Sequence, residues 1–180
     1  MNNMSVKTMT AAALCVAVGV IFSFLRIPLS NITEITLTGI PIAVGGCFFG
    51  PVVGAVIGAL IDVVGYFVHP TGPFFPGFTI SNALIGTIYG LFLWRKWWEA
   101  GRGPGILYRD NTGLLIRITI AHLIKTILIS LLLNIMWLSL FYGMPFKAVF
   151  IGSLVKEAVN FAIEVALIYF VIRALSRLKI

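Results

Sequence analysis

Val52-Val53-Gly54-Ala55-Val56-Ile57-Gly58-Ala59-Leu60-Ile61-Asp62-Val63-Val64-Gly65-Tyr66-Phe67-Val68 is an apolar run with one charged side chain, Asp62. Gly50-Pro51 precedes it, and proline suits a turn or the first position of a helix. His69-Pro70-Thr71-Gly72-Pro73-Phe74-Phe75-Pro76-Gly77 follows it. Prolines and glycines at that density cannot continue a helix. The run therefore reads as a helix over about 52–68. It has no polar face to turn to water, and its length approaches the roughly 20 residues that cross a hydrocarbon core. Gly50, Gly54 and Gly58 recur every four residues, which puts bare backbone on one face and allows a close helix neighbour.

Outward from this run the pattern repeats. Further helices are expected over about 7–25, 37–49, 79–95, 114–137 and 147–173. A polar loop from Ser30 to about Thr36 separates the first two. The segment 96–113, with Arg102, Arg109, Asp110 and a Gly101-Arg102-Gly103-Pro104-Gly105 run, reads as an exposed loop. Gly86 and Gly90 repeat the four-residue spacing in the fourth helix, and Ala13 and Ala17 give a milder version in the first. The expected fold is all-α: a polytopic membrane protein forming a single six-helix domain over 1–180.

Composition points the same way. Hydrophobic residues make up 59% of the 180 and charged residues 11%, with a mean hydropathy of +1.05. A water-soluble domain carries about 25% charged residues, so this chain is too poor in them to cover a watery surface. The +7 net charge would suggest nucleic acid in a soluble protein. Here its distribution speaks to topology. With six spans, Lys7, Arg95, Lys96, Arg102, Arg109, Arg117, Arg173, Arg177 and Lys179 fall on one side, and only Arg26 and Lys147 on the other. Basic residues concentrate on the cytoplasmic side, so both termini are expected there, with loops 1, 3 and 5 outside. Five spans would make the charges nearly symmetric. Cys15 and Cys47 sit in apolar surroundings and read as packing residues, with neither a disulfide framework nor a metal site. The first apolar stretch shows no cleavage site and is expected to stay as a helix rather than leave as a signal peptide.

Polar side chains in lipid are costly and need a reason. Asp62, His122, Lys125, Asn134, Lys156, Glu157, Asn160 and Glu164 all fall inside expected spans. Glu157, Asn160 and Glu164 share a helix face at spacings of three and four. Charge pairing between helices, for example Lys125 with Glu157, is one account, and Glu164, deep toward the cytoplasm, fits it best. An ion or proton relay is another. The third is a solute pocket open to the outer side, which suits Asn134, Trp137, Lys156 and Asn160. Near it Phe74, Phe75 and Phe78 flank loop 3, and Trp137 and Tyr142 lie near loop 5. Their rings can stack on a planar solute or form an interfacial belt. Arg26 can hold a carboxylate through two parallel hydrogen bonds or anchor the chain at the membrane surface. No Gly-x-x-x-x-Gly-Lys-Ser/Thr, His-Glu-x-x-His or Gly-x-Ser-x-Gly occurs, so neither ATP hydrolysis by a phosphate loop nor the familiar hydrolase chemistry is expected from this chain, and no catalytic residue is assigned.

The stretch Phe48-Phe49-Gly50-Pro51 through Asp62, continuing past His69–Gly77 to Phe78-Thr79-Ile80-Ser81, resembles the substrate-binding S components of energy-coupling-factor vitamin importers. Pro70-Thr71-Gly72-Pro73-Phe74-Phe75-Pro76-Gly77-Phe78-Thr79 is similar to their folate-specific branch. The distinctive motif covers about 48–90, and the general likeness covers nearly the whole chain. The resemblance implies a high-affinity vitamin-binding membrane subunit, with folate as ligand and neither cofactor nor metal. It implies that loops 1, 3 and 5 close over the ligand at the outer face. Its partners would be a transmembrane coupling subunit and two ATPase subunits, docked against Ala13 and Ala17, with delivery by tipping of the whole subunit. A pterin ring would stack on Phe74 or Phe75 with Phe78 beside them. Asn134, Glu157 or Asn160 would meet its polar edge, Arg26 or a lysine such as Lys156 would meet the glutamate carboxylates, and Trp137 would flank the pocket. The same machine for another vitamin, an ion-coupled carrier and a membrane enzyme are the other readings to separate.

Overall fold

The computed structural model describes residues 6–28, 34–70, 73–94 and 111–177, with side chains described except at 26–28, 111 and 177. Arg95, Lys96, Arg102, Arg109 and Lys179, used above to orient the chain, lie outside the described residues, as do Asp110, Ser30 in the first loop and Thr71 and Gly72 in the third.

The chain folds as α1 (Val6–Phe24), a short pair of strands β1 (Arg26–Pro28) and β2 (Glu34–Thr36), α2 (Gly39–Phe49), α3 (Pro51–Val68) and α4 (Pro76–Leu93). Then come α5 (Asn111–Lys125), a π-helical segment (Thr126–Leu133), α6 (Asn134–Phe141) and α7 (Phe146–Arg177). α5, the π segment and α6 make one rod, apolar over Thr112–Phe141. Among the described residues, five rods are long and apolar enough to cross a membrane: Val6–Phe24, Pro51–Val68, Pro76–Leu93, Thr112–Phe141 and Phe146–Ser176.

α2 is the exception, at 11 residues. That is about 16 Å of helix, roughly half a hydrocarbon core. Its residues from Gly39 to Cys47 are all buried. A helix apolar on every side belongs inside, and α1, α3, α4 and α7 pack around it. The core runs from Ile42, Ala43 and Cys47 on α2 to Ile57 and Ile61 on α3, Tyr89 on α4, Ile118 on α5 and Ile168 on α7. Leucines, valines and phenylalanines point outward along the other rods, among them Leu14, Val52, Phe67, Leu132 and Phe170.

The glycine repeats set the tightest contact. A Cβ on Gly54 would stand 2.7 Å from the Gly86 carbonyl oxygen, and one on Gly86 would collide with the Gly54 carbonyl. α3 and α4 therefore touch backbone to backbone, as the spacing suggested. Gly50 joins α2 to α3 at φ 93°, where a side chain is strained, and a Cβ there would also meet the Trp94 ring at 2.8 Å.

Three details differ from the sequence reading. The first loop holds an antiparallel pair, Arg26 opposite Thr36 and Pro28 opposite Glu34, where a plain polar loop was expected. α4 begins at Pro76, not near 79. A proline at the first helical turn loses no internal hydrogen bond, so Pro76 starts the helix that its neighbours Pro70 and Pro73 cannot join. The rod made by α5, the π segment and α6 continues to Phe141 and is not regular α-helix throughout.

Candidate functional site

Costly polar side chains on the helices converge at one end of the bundle. There the end of α1, β2, the start of α2, the end of α3, the start of α4, α6 and the start of α7 surround a cavity of about 470 Å³. That is the size of a small-molecule site. Ser23, Thr36, His69, Phe75, Leu138 and Met144 show that the first, third and fifth connections all meet it.

Its floor is a buried ion network. Lys125 Nζ on α5 lies 3.3 Å from Glu157 Oε2 and 3.4 Å from Glu164 Oε2, both on α7. The Thr126 hydroxyl donates to Glu157 Oε2 at 3.0 Å. His122 Nδ1 is 3.4 Å from Glu164 Oε2 and 3.0 Å from the Tyr89 hydroxyl on α4. Glu164 also presses on the start of α2, since a Cβ on Gly39 would meet its Oε1 at 2.6 Å. One lysine thus answers two carboxylates, and the network joins α5 to α7 and, through His122 and Tyr89, to α4. Charge pairing across helices is real here, and Glu157 and Glu164 line the cavity as well.

On the α3–α4 side, Thr79 and Asn82 both donate to Asp62. The Thr79 hydroxyl donates to Oδ2 at 2.6 Å and Asn82 Nδ2 to Oδ1 at 3.0 Å. Asn82 Nδ2 also reaches the Phe78 carbonyl at 3.1 Å. Above it the aromatic residues form one cluster centred on Phe75. Its ring centroid lies 5.7 Å from Phe78, 5.4 Å from Trp137, 4.7 Å from Phe141 and 6.2 Å from Tyr142. Phe74 packs on Tyr66 at 5.1 Å. The Tyr142 hydroxyl donates to the Pro73 carbonyl at 3.0 Å and so ties the fifth connection to the third.

On the α6–α7 side, the Oδ1 atoms of Asn134 and Asn160 are buried with no hydrogen-bond partner among the described residues. Both residues line the cavity, and Asn160 is 2% exposed. A buried polar atom without a partner costs about 1–3 kcal/mol, so two acceptors facing one cavity mark a place built for a donor-bearing ligand. Lys156 lines the same wall half-buried.

Of the residues singled out from sequence, Phe74, Phe75, Phe78, Asn134, Lys156, Glu157 and Asn160 line the cavity. Trp137 does not line it but backs Phe75, with its indole nitrogen buried and unpartnered among the described residues. The Arg26 backbone stands in β1 opposite Thr36, and its side chain lies outside the described residues. Ala13 and Ala17 are exposed on the outer face of α1, away from the cavity.

Sequence reasoning left Ser130, Tyr66 and Asn82 out of the site, and set Lys125 and Asp62 aside. The reason for the α5 residues is winding. Lys125 and Asn134 are nine residues apart, about 2.5 turns of α-helix, and would face opposite ways. In the π segment hydrogen bonds reach one residue further, as when Asn134 N–H donates to the Ile129 carbonyl. A turn then holds more residues, and Lys125, Ser130 and Asn134 all face the cavity. The only trace of this in the sequence is a polar stripe at steps of four and five, Lys125–Ser130–Asn134.

Comparison with known proteins accords with this geometry. The family model described as "ECF transporter, substrate-specific component" matches residues 7–172. The folate transporter FolT of Clostridium novyi is 33% identical over 97% of this chain and 93% of its own. The FolT of Leuconostoc mesenteroides is 24% identical over 79% of this chain and 72% of its own. Among solved structures, FolT bound with folic acid superposes with a TM-score of 0.75 at 31% identity, covering 93% of each chain. The S component for biotin from an ECF-type ABC transporter shares the fold, with a TM-score of 0.66 at 21% identity over 96% of this chain and 94% of its own. With a family model running almost from end to end, this chain belongs to the substrate-specific components of ECF transporters, a family of multi-pass membrane transporter subunits and not of enzymes.

Proposed function

We propose that this chain is the folate-binding subunit of an ECF importer. It captures the vitamin from outside and passes it inward when docked on a transmembrane coupling subunit and two ATPases. The observation that carries the reading is the cavity: aromatic rings around Phe75 and two residues with buried amide oxygens, unpartnered among the described residues, line one space. That pairing suits a flat heterocycle with hydrogen-bond donors on its edge. The names of the relatives, folate transporters and a protein bound with folic acid, support the cargo.

In this reading the pterin ring stacks on Phe75, with Phe74 and Phe78 beside it and Trp137 behind. Asn134, Asn160 and Glu157 meet its edge. Lys156 and Arg26 meet the glutamate carboxylates at the mouth. Six helices cross the bilayer as one domain, the termini are cytoplasmic, and the end bearing the cavity faces outward, as the Lys/Arg distribution favours. α2 crosses as the buried centre of the bundle, sheathed by its neighbours. Ala13 and Ala17 give the coupling subunit a close approach to α1. Folate is the ligand, and no cofactor or metal takes part.

The test is folic acid binding by the purified chain alone in detergent, read by calorimetry and by tryptophan fluorescence, to which Trp137 beside the cavity contributes. Saturable tight binding without ATP or partner subunits is the expected result. Tight binding of another vitamin and none of folic acid would keep the machine and change its cargo. Binding of neither by a folded sample would remove the capture role.

A further inference from the structure

Phe74 and Phe75 are neighbours in the chain, yet their rings join different groups. Phe75 stands just before α4 with extended backbone, φ −128° and ψ 113°. Extended backbone sends successive side chains to opposite sides. Phe75 turns to α6, where its ring centroid lies 5.4 Å from Trp137 and 4.7 Å from Phe141. Gly77 makes room for it, since a Cβ there would collide with the Phe75 ring. Phe74 turns to α3 instead and packs on Tyr66 at 5.1 Å, with the two rings tilted by 57°. Among the described residues no ring contact joins Tyr66 or Phe74 to the Phe75 group.

The cavity therefore meets two aromatic groups. Phe75 and Phe78 line it from one, Tyr66 and Phe74 from the other. Packing within the protein does not close the second group: Tyr66 is half-buried and Phe74 is 43% exposed. That leaves aromatic surface for another ring to pack on. The space is large enough for it. A cavity of about 470 Å³ is on the scale of a drug-sized ligand, more than a single bicyclic ring fills. The two groups also differ in polar company. Asn134 stands one turn before Trp137 on α6, and its buried Oδ1, unpartnered among the described residues, asks for an N–H donor. A ring with donors on its edge thus belongs with Phe75. A ring that offers only its faces and C–H edges suits Tyr66 and Phe74. Folic acid carries one of each, a pterin and a benzoyl ring joined by a short flexible link.

We infer that Tyr66 and Phe74 form a second aromatic subsite, which takes the benzoyl ring of the ligand and makes the cavity selective for pteroyl compounds over simple pterins. This rests on the folate reading and extends it to two residues and a second ring. The extended backbone at Phe75 divides the ligand's rings between the two groups.

The experiment compares folic acid with hydroxymethylpterin, which lacks the benzoyl ring, on the full chain in detergent. Folic acid is titrated by calorimetry, and the simple pterin is read by its displacement of folic acid. Losing an aromatic face on which a ring stacks corresponds to roughly 10-fold in affinity. Phe74→Ala is expected to lose about that much for folic acid and less than about threefold for the pterin. Phe75→Ala is expected to lose roughly 10-fold for both. Equal losses from Phe74→Ala for both ligands, or none for either, would overturn the inference. A second measurement needs no variant. Folic acid carrying an azide on its benzoyl ring is photolysed in complex with the wild-type chain, and the attachment site is mapped by mass spectrometry. Attachment at Tyr66 or Phe74 supports the subsite, and attachment only at other residues overturns it. This result decides alone if Phe74→Ala fails to fold or the simple pterin does not displace folic acid. Wild type failing to bind folic acid would overturn the cargo reading and this inference with it. Folic acid binding with the label elsewhere would overturn this inference only.

Discussion

Asn160 is the side chain whose burial makes least sense without a ligand. It is 2% exposed with its Oδ1 unpartnered among the described residues. Replacing it by Leu, of similar reach, removes the unpaired acceptor. The apo protein is then expected to hold its thermal midpoint in detergent or gain slightly, while folic acid affinity falls about 10-fold or more. Calorimetry beside a melting curve checks both halves. Lys125 is the opposite case, since its ammonium is engaged by Glu157 and Glu164. Lys125→Met leaves two carboxylates buried without their cation, a loss of about 3–5 kcal/mol. A marked fall in the melting midpoint without ligand is the expected result, and an unchanged midpoint would mean that the network does not hold the helices together.

Helix winding decides which of these side chains meet. Along the rod from α5 to α6 Leu123, Leu128, Leu132, Met136 and Leu140 are exposed, while Lys125, Ser130, Asn134 and Leu138 line the cavity. Both stripes advance by about four residues a step, more than the 3.6 of an α-helix, and the π segment absorbs the difference. A cysteine scan tests the facing in a chain whose Cys15 and Cys47 are replaced by Ala. Ser130→Cys and Asn134→Cys should react with a water-soluble thiol reagent and be shielded by folic acid. Leu128→Cys and Leu132→Cys, on the lipid side, should react slowly and without regard to ligand. Regular α-winding from Lys125 would instead turn Asn134 toward lipid and leave it unshielded.

The molecule as a whole presents two separate surfaces. The cavity lies at the end where the first, third and fifth connections meet. Ala13 and Ala17 lie on the exposed flank of α1, whose inner side is occupied by Gly19 and Ser23. If capture and coupling are divided between these places, bulk on the flank must spare one and stop the other. Ala13→Trp with Ala17→Trp is expected to leave folic acid binding by the isolated chain within about twofold, and to abolish uptake in vesicles that also hold the coupling subunit and ATPases. Retained uptake would place the docking face elsewhere.

Much of this was legible in the residues themselves. Composition and apolar runs lead to helices in lipid because burial of apolar length is a local, additive property of a segment. Glycines four apart lead to tight packing, because a helix repeats its face within a turn whatever its partner. The motif from Phe48 to Ser81 carried the family, and the loop aromatics and the α7 polar stripe carried part of the cavity lining. Other features depended on distance or on phase. Lys125 is 32 residues from Glu157 and 39 from Glu164, and nothing near any of them says that one cation answers both. Asp62 reads as an isolated cost until Thr79 and Asn82 are seen to hold it. The facing of Asn134 follows from the hydrogen-bond register of a helix that leaves the α-helical period. The sequence alone determined which segments are helices and that they belong in a membrane, because apolar length and backbone spacing act within each segment. Only the tertiary structure decided which polar groups are spent on one another and which are left facing the cavity, because that depends on how helices distant in sequence are rotated together.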